Sequence, residues 1–343
     1  MIRVARAYTL GTTYKIRNRN SLLLTQMVMA THYNIDFCLF GARSIDIKNM
    51  TIDALFMEEG KQVVKTISLP PLVDNSMAGV APFKKLKDKC MLVQPFVRPS
   101  KSEIHKLLES EGTYRDWLIP TTRVKSAEDI KLFLREHNDC IMKSIQGSGG
   151  TSVHKISVLG DAFVVLKGHS RTTMTDEQFT EYIDDLFKTG KSRYIVQPFL
   201  TCVTAFGEPY DIRLHCRRGK DNKIFVDLMP RIGSVNGVVS NVTSGGYTMP
   251  CEKFFVREFG GEAKAIQEKL EKFAIEFTEY FGGFFEERIS ALPIDVAVVR
   301  EGENMKFYLF EVNAYPRICR TSPYSDIVNQ FDYYKYLYDK YGL

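Results

Sequence analysis

No Cys-x-x-Cys pair occurs in this sequence, although it holds seven cysteines, at positions 38, 90, 140, 202, 216, 251 and 319. An odd number of thiols, mostly in apolar or strand-like surroundings, excludes a disulfide framework and points to reduced cysteines in a cytoplasmic protein. No histidines and cysteines have zinc-site spacing. No run approaches the roughly 20 apolar residues of a membrane-spanning helix, so no membrane partner is expected. Internal repeats and low-complexity segments are absent. A surplus of one charge is nearly absent too: 46 basic residues face 41 acidic ones, a net +5. With no aromatic–basic strand signature of an RNA platform, that balance excludes a bulk nucleic-acid binder and suits a local basic pocket for a small anion. Acidic residues are missing before Asp36, while Arg3, Arg6, Lys15, Arg17 and Arg19 precede it. That resembles a transit peptide, but "SLLLTQMVMA" is short and interrupted by Thr25 and Gln26, and it is expected to be a helix of the first lobe.

What is present is ample core material. The chain has 343 residues, 44% hydrophobic and 25% charged, too long for one ordinary domain and suited to two or three lobes. Residues 1–97 combine a helix candidate (21–33), a strand candidate "IDFCLF" and polar turns, a small α/β lobe. A second lobe begins near "RPSKSEIHKLLES", where Ser100 or Ser102 caps a helix with Ile104, Leu107 and Leu108 on one face. "SAEDIKLFLREHN" is a further helix capped by Ser126, followed by the strand "CIMKSI". From residue 194 strands dominate: "YIVQPFL", "YDIRLHCRR", "KIFVDLMPRIG", "PIDVAVVR" and "KFYLFEVNAY", interrupted by a long helix near 261–281. The Tyr-rich end "FDYYKYLYDKYGL" is expected to close the chain as a helix packed on the last lobe.

Four stretches can carry chemistry. "IMKSIQGSGGTSVHKI" places Lys143 on a strand that runs into Gly147, Ser148, Gly149 and Gly150. Glycines let backbone N–H groups approach an anion, and a lysine adds a point charge for phosphate. The loop lacks the GxxxxGK[ST] pattern of a Walker A loop and is followed by a strand, so a plain hairpin with a flexible turn is the competing reading. "YIVQPFL" can present Gln197 and the backbone after it to a planar heterocycle, or be an ordinary edge strand. In "YDIRLHCRR", Asp211 and Arg213 share one strand face and are expected to pair. Arg231 sits on the next strand, where a buried guanidinium needs a carboxylate or a phosphate beside it. Asn241 and the pair Gly245-Gly246 form a loop able to approach a ligand.

The last stretch, "YLFEVNAYPR", sets Glu311 and Asn313 on one face of an apolar strand. Asp295 lies in another apolar strand, "LPIDVAVV". Three oxygen donors from neighbouring strands make a hard-cation site, with Mg2+ or Mn2+ and phosphate oxygens completing the shell. A satisfied polar cluster is the alternative.

In this order the parts resemble the ATP-grasp superfamily. The stretch "YDIRLHCRRGKDNKIFVDLMPRIGSVNGVVSNVTSGG" is similar to its spore-coat-associated bacterial branch, and glutathione-synthetase-like ligases look like more distant relatives. The resemblance covers about 98–320 and implies an α+β fold in which two lobes clamp ATP, preceded by a small α/β lobe. The expected domains are 1–97, 98–193 and 194–343. It implies that Lys101 and Lys143 hold the α- and β-phosphates and that the loop from Gly147 closes over the β- and γ-phosphates. Gln197, Pro198, Phe199 and Leu200 would meet the adenine, and Glu208 is the candidate for the ribose. Asp295, Glu311 and Asn313 would hold two Mg2+ ions. Arg231 and Arg213 would stabilise developing charge, with Asn241 bordering the reacting group. Gln197 departs from the Glu that many relatives carry.

The implied reaction joins a small-molecule or peptide carboxylate to an amine through an acyl phosphate, releasing ADP and phosphate. An ATP-grasp kinase acting on a small metabolite, or a non-catalytic coat or binding protein, are the alternatives. His154, His169 and His215 are expected to be ordinary strand and loop histidines. Oligomeric state is not legible.

Overall fold

The computed structural model describes residues 2–7, 21–75, 81–86, 88–94, 99, 101–145, 152–189, 193–235, 237–240, 245–284, 289–313, 316, 318–319 and 321–343. The chain builds three sheets. The first contains β1 (Ile2–Ala7), β2 (Ile35–Phe40), β3 (Thr51–Glu58), β4 (Lys61–Ser68), β5 (Leu72–Asp74) and β6 (Met91–Leu92), with α1 (Ser21–His32) between β1 and β2. Its order is β4-β3-β2-β1-β5-β6, parallel from β2 through β1 and β5 to β6 and antiparallel at β2-β3-β4. The stretch expected to form a first-lobe helix does so as α1.

After α2 (Lys101–Glu111), the second sheet is built from β7 (Thr122–Val124), β8 (Asp139–Ser144), β9 (Val153–Leu159), β10 (Ala162–Lys167), β11 (Ser170–Met174) and β12 (Tyr194–Pro198). The helices α3 (Ala127–His137) and α4 (Asp176–Thr189) back it. Ile130, Leu134, Phe179 and Ile183 bury one helix face each against Cys140, Met142, Ile156 and Val196. Ser126 caps α3 as expected, accepting from the Asp129 amide while Asp129 accepts from the Ser126 amide, a reciprocal capping box. Ser100 and the side chain of Ser102 lie outside the described residues.

The third sheet holds β13 (Tyr210–Arg218), β14 (Ile224–Ile232), β15 (Tyr247–Thr248), β16 (Ala291–Glu301) and β17 (Asn304–Val312), in the order β15-β14-β13-β16-β17. The helices α5 (Cys251–Phe259) and α6 (Ala263–Gly282) precede β16, and α7 (Pro323–Tyr341) ends the chain. β13 shows why this sheet has two unlike faces. Its alternation sends Ile212, Leu214 and Cys216 into the core with Leu270, Phe273 and Phe277 of α6. Asp211, Arg213, His215 and Arg217 therefore share the opposite face.

Two expectations about the lobes are corrected, and a third is met in part. β12, expected to open the last lobe, is hydrogen-bonded into the second sheet between β8 and β7. α2, expected to open the second lobe, packs on the third: Ile104 and Leu108 belong to the α6 core, and Trp117 stacks on Phe273 with ring centroids 3.6 Å apart. α7, expected to pack on the last lobe, lies between that lobe and the first: Asp326 pairs with Arg217 of β13, while the helix's apolar face turns to the first lobe. Ile327, Phe331, Tyr334, Leu337 and Tyr338 join Val4, Leu23, Met27 and Leu72 in one core. Polar groups follow the same seam: Gln330 Nε2 donates to Asp74 at 2.7 Å, and Gln26 Nε2 to Gln330 at 2.6 Å.

All seven cysteines are free, in keeping with the reading of reduced thiols. No helix among the described residues is long and apolar enough to cross a membrane.

Candidate active site

A cavity of about 940 Å3 opens between the second and third sheets. Lys143, Gln197 to Leu200, Arg213, Arg231, Asp295, Glu311 and Asn313 all line it, so residues up to 170 positions apart in the sequence meet on one space. The side chain of Lys101, the loop Gly147, Ser148, Gly149 and Gly150, and Asn241 lie outside the described residues. Glu208 does not line the cavity. Its carboxylate accepts from Thr204 Oγ1 at 3.1 Å and from the Tyr247 hydroxyl at 3.1 Å, which ties it into the turn before β13.

One wall is the polar face of the third sheet. Asp295 on β16 stands opposite Arg213 on β13 and opposite Glu311 on β17, one row across three strands. A bulge makes that row. Val296 pairs with Leu309, so an unbroken ladder would bring Phe310 opposite Asp295; the register shift between Asp295 and Val296 brings Glu311 there instead. Asn313 lies just past the end of β17. Its amide still donates to the Pro293 carbonyl at 2.8 Å, and its side chain donates to Asp295 Oδ2 at 3.3 Å.

Asp211 and Arg213, expected to pair with each other, each take another partner. Arg213 donates to Asp295 twice, Nε to Oδ1 at 2.7 Å and Nη2 to Oδ2 at 2.8 Å. Asp211 accepts two bonds of 2.6 Å from Arg231, plus one from Ser240 Oγ at 2.6 Å. Arg231 also reaches Asp295 Oδ2 at 2.9 Å. Residues i and i+2 on a strand are about 6–7 Å apart, whereas cross-strand neighbours are close enough for forked pairing. Burial pushes the Asp295 carboxyl up, but Arg231 and Arg213 outweigh it and hold the group below the ordinary carboxylate range. Burial, with repulsion from Asp295, pushes Asp211 up against the pull of Arg231. The two carboxylates share one guanidinium and titrate as a pair.

The donor set Asp295, Glu311 and Asn313 is all oxygen and suits a hard divalent cation. Among the described residues no three His, Cys, Asp or Glu side chains gather as a metal set; the candidate donors here are two carboxylates and an amide.

The facing wall carries Lys143 near the end of β8, just before the glycine loop. Near the end of β12, Gln197 Nε2 donates to Thr121 Oγ1 at 2.7 Å, and Thr121 in turn donates to the Ile119 carbonyl. One of the two amide N–H donors of Gln197 is thus committed to the protein, and the Phe199 N–H and Leu200 carbonyl are taken by Asp139 and Cys202, which leaves the Gln197 carbonyl oxygen and the Leu200 N–H as candidates to meet a heterocycle. Lys155 lies over the Phe199 ring, 3.6 Å from its centroid. Lys155 belongs to the glycine-loop stretch but does not line the cavity. Sequence reasoning missed Thr121, which sits in no motif.

It also missed Asp326. This buried α7 carboxylate accepts from Arg217 Nε at 2.7 Å and from the Cys319 amide at 2.9 Å, and lies 3.2 Å from His215 Nε2. Burial raises its pKa, but Arg217 and His215 more than offset that and hold it far below the ordinary range. His215 and Cys319 both line the cavity, so Asp326 links the C-terminal helix to the site. The one available signal was an acid on the apolar face of a helix.

The sequence model of the "YheC/D like ATP-grasp" family matches residues 90–341. The endospore coat-associated protein YheC of Bacillus subtilis (strain 168) is 23% identical over 235 residues, 66% of this chain. That match spans 62% of the YheC length, so what the whole of YheC does is a separate question. Among solved structures, the D-alanine-D-alanine ligase from Coxiella burnetii superposes with a TM-score of 0.52 at 10% identity, covering 100% of this chain and 98% of that one. N5-carboxyaminoimidazole synthetase from Staphylococcus aureus, solved with ADP, gives a TM-score of 0.51 at 12% identity over 96% of this chain and 75% of that one. At such identities these likenesses speak for the fold.

Proposed function

The chain belongs to the YheC/D-like ATP-grasp family, and from that premise we propose that it is an ATP-dependent carboxylate–amine ligase. The observation that carries the reading is the meeting of Lys143 and the segment Gln197–Leu200 on one wall with Asp295, Glu311, Asn313, Arg213 and Arg231 on the other. A polyphosphate needs cations along its length and a heterocycle needs a flat, partly apolar slot. This cavity offers both. The structural neighbours, one named a ligase and one a synthetase solved with ADP, support the same reading.

In this reading the adenine meets the Leu200 N–H and the carbonyl oxygen of Gln197, while Lys143 meets the phosphates. Asp295, Glu311 and Asn313 are the residues to hold Mg2+, which neutralises phosphate charge when bound. A substrate carboxylate oxygen attacks the γ-phosphorus, the bond to the β-bridging oxygen breaks, and an acyl phosphate and ADP result. An amine then attacks the acyl carbon, the carbon–oxygen bond to phosphate breaks, and amide and phosphate are the products. Arg213, on the cavity surface, is placed to meet charge developing on the transferred group. Arg231, deeper and doubly paired, sets the position of Asp295. The site supplies charge and orientation and needs no nucleophilic side chain.

Phosphorus NMR tests this. Purified protein is incubated with Mg-ATP and a deproteinised bacterial metabolite extract, with Glu311→Ala as control. ADP and inorganic phosphate that depend on the extract and vanish in the variant are the expected result. ADP with a new phosphoester signal and no free phosphate would identify a kinase.

A further inference from the structure

Asp295, the central candidate cation ligand, is already crowded. Its Oδ2 accepts from Arg213 Nη2 and Asn313 Nδ2 and lies 2.9 Å from Arg231 Nη2, while Oδ1 accepts from Arg213 Nε alone. A carboxylate oxygen has two acceptor positions, so Oδ1 keeps one. A cation arriving there alone shares the oxygen with the Arg213 guanidinium and is repelled by its charge.

The two guanidinium groups are not equally free to leave. Arg231 is only 6% exposed and is held by Asp211, itself fixed by Ser240. The Arg213 side chain is 26% exposed, lines the cavity, and has Asp295 as its one ion-pair partner among the described residues.

We propose that Arg213 is a latch on Asp295: it closes the cation site while the cavity is empty and is drawn off by an incoming polyphosphate, so that cation and nucleotide enter as a coupled pair. A triphosphate gives the guanidinium a bidentate oxyanion partner in place of the one it gives up. Neither ligand alone opens the site well, because the cation leaves Arg213 without an anion and the nucleotide leaves Asp295 without one of its two cations. Couplings of this kind are typically about 5- to 150-fold in affinity. The inference rests on the ATP reading above for what draws Arg213 away, but its closing measurement contains no nucleotide, so the two fail separately.

The measurement is Mn2+ binding to nucleotide-free protein, followed by electron paramagnetic resonance of the unbound ion. The parent is expected to bind Mn2+ weakly. Arg213→Met is expected to bind it at least about tenfold more tightly, within the coupling range above. Arg213→Lys, which keeps the charge, is expected to stay near the parent. Arg213→Met combined with Glu311→Gln is expected to lose the gain, which places the ion at this row. Circular dichroism checks folding, and Arg213→Gln serves if the Met variant is unstable. Equal Mn2+ binding by parent and Arg213→Met, or a gain that survives Glu311→Gln, overturns the latch. Should ADP then fail to bind with Mn2+ present while the nucleotide-free pattern holds, the nucleotide reading falls and the latch stands as a gate for another anion.

Discussion

Arg217 of β13 and Asp326 of α7 form a forked ion pair, 2.7 and 3.2 Å, with side chains only 2% and 1% exposed. It joins the third sheet to a helix whose apolar face belongs to the first lobe. Such a pair contributes little net stability over an apolar replacement, but breaking it strands a buried charge. Asp326→Ala is therefore expected to cost about 3–5 kcal/mol, read as a lowered urea midpoint. Arg217→Met combined with Asp326→Leu should recover most of the loss. If the double variant is as unstable as the single one, the penalty lies in packing and not in the unpaired guanidinium.

Glu311 faces Asp295 from the next strand and is only half-buried. Glu311→Ala should keep the parent's melting temperature without ligands. With Mg2+ and a non-hydrolysable ATP analogue, the parent should melt at a higher temperature and the variant should lose the metal-dependent part of that rise. An equal rise in both proteins would remove Glu311 from the cation site.

His154 on β9 is buried and lies across from Lys167 on β10. Burial first, and then the lysine charge, lower its pKa from 6.5 to about 4. The unfolded chain therefore takes up a proton between those values that the folded chain refuses. By linkage, stability is complete above pH 6.5 and falls as the pH drops toward 4. His154→Phe should flatten that part of the profile, measured as urea midpoints at pH 4.5 and 7. An unchanged slope would mean that other groups set the acid limit.

Ser126 and Asp129 cap α3 reciprocally. Ser126→Ala should cost about 1 kcal/mol, and Ser126→Asn much less, in the same urea titration. The cap backs the strand bearing Lys143 through Leu134 and Met142, so the loss should appear in stability and leave nucleotide affinity near the parent's.

The cap was legible in the sequence because capping is local: three residues and their backbone suffice. The strands carrying Arg213, Arg231, Asp295 and Glu311 were legible for a related reason, since a period of two is visible in ten residues. Membership of a lobe was not. The Tyr-rich end has the pattern of a buried helix, but nothing in it says which sheet it covers, and α7 lies between β13 and the first lobe, its apolar face on the first. Likewise α2 precedes the second sheet in sequence and packs on the third. Apolar faces are interchangeable at the level of composition, and only the assembled surfaces choose between them.

The sequence by itself determined which residue types are available to the cavity: two carboxylates, an amide, two arginines and a strand lysine, in the order of one superfamily. The tertiary structure decided who meets whom. It exchanged the Asp211–Arg213 pair for two cross-strand forks, turned the Gln197 amide to Thr121, and kept Glu208 out of the cavity. A one-residue bulge put Glu311, and not Phe310, opposite Asp295. A strand fixes only which side its residues face. Register, and with it the partner of every buried charge, comes from the neighbouring strand, because a desolvated charge must be paired by whatever that neighbour brings alongside.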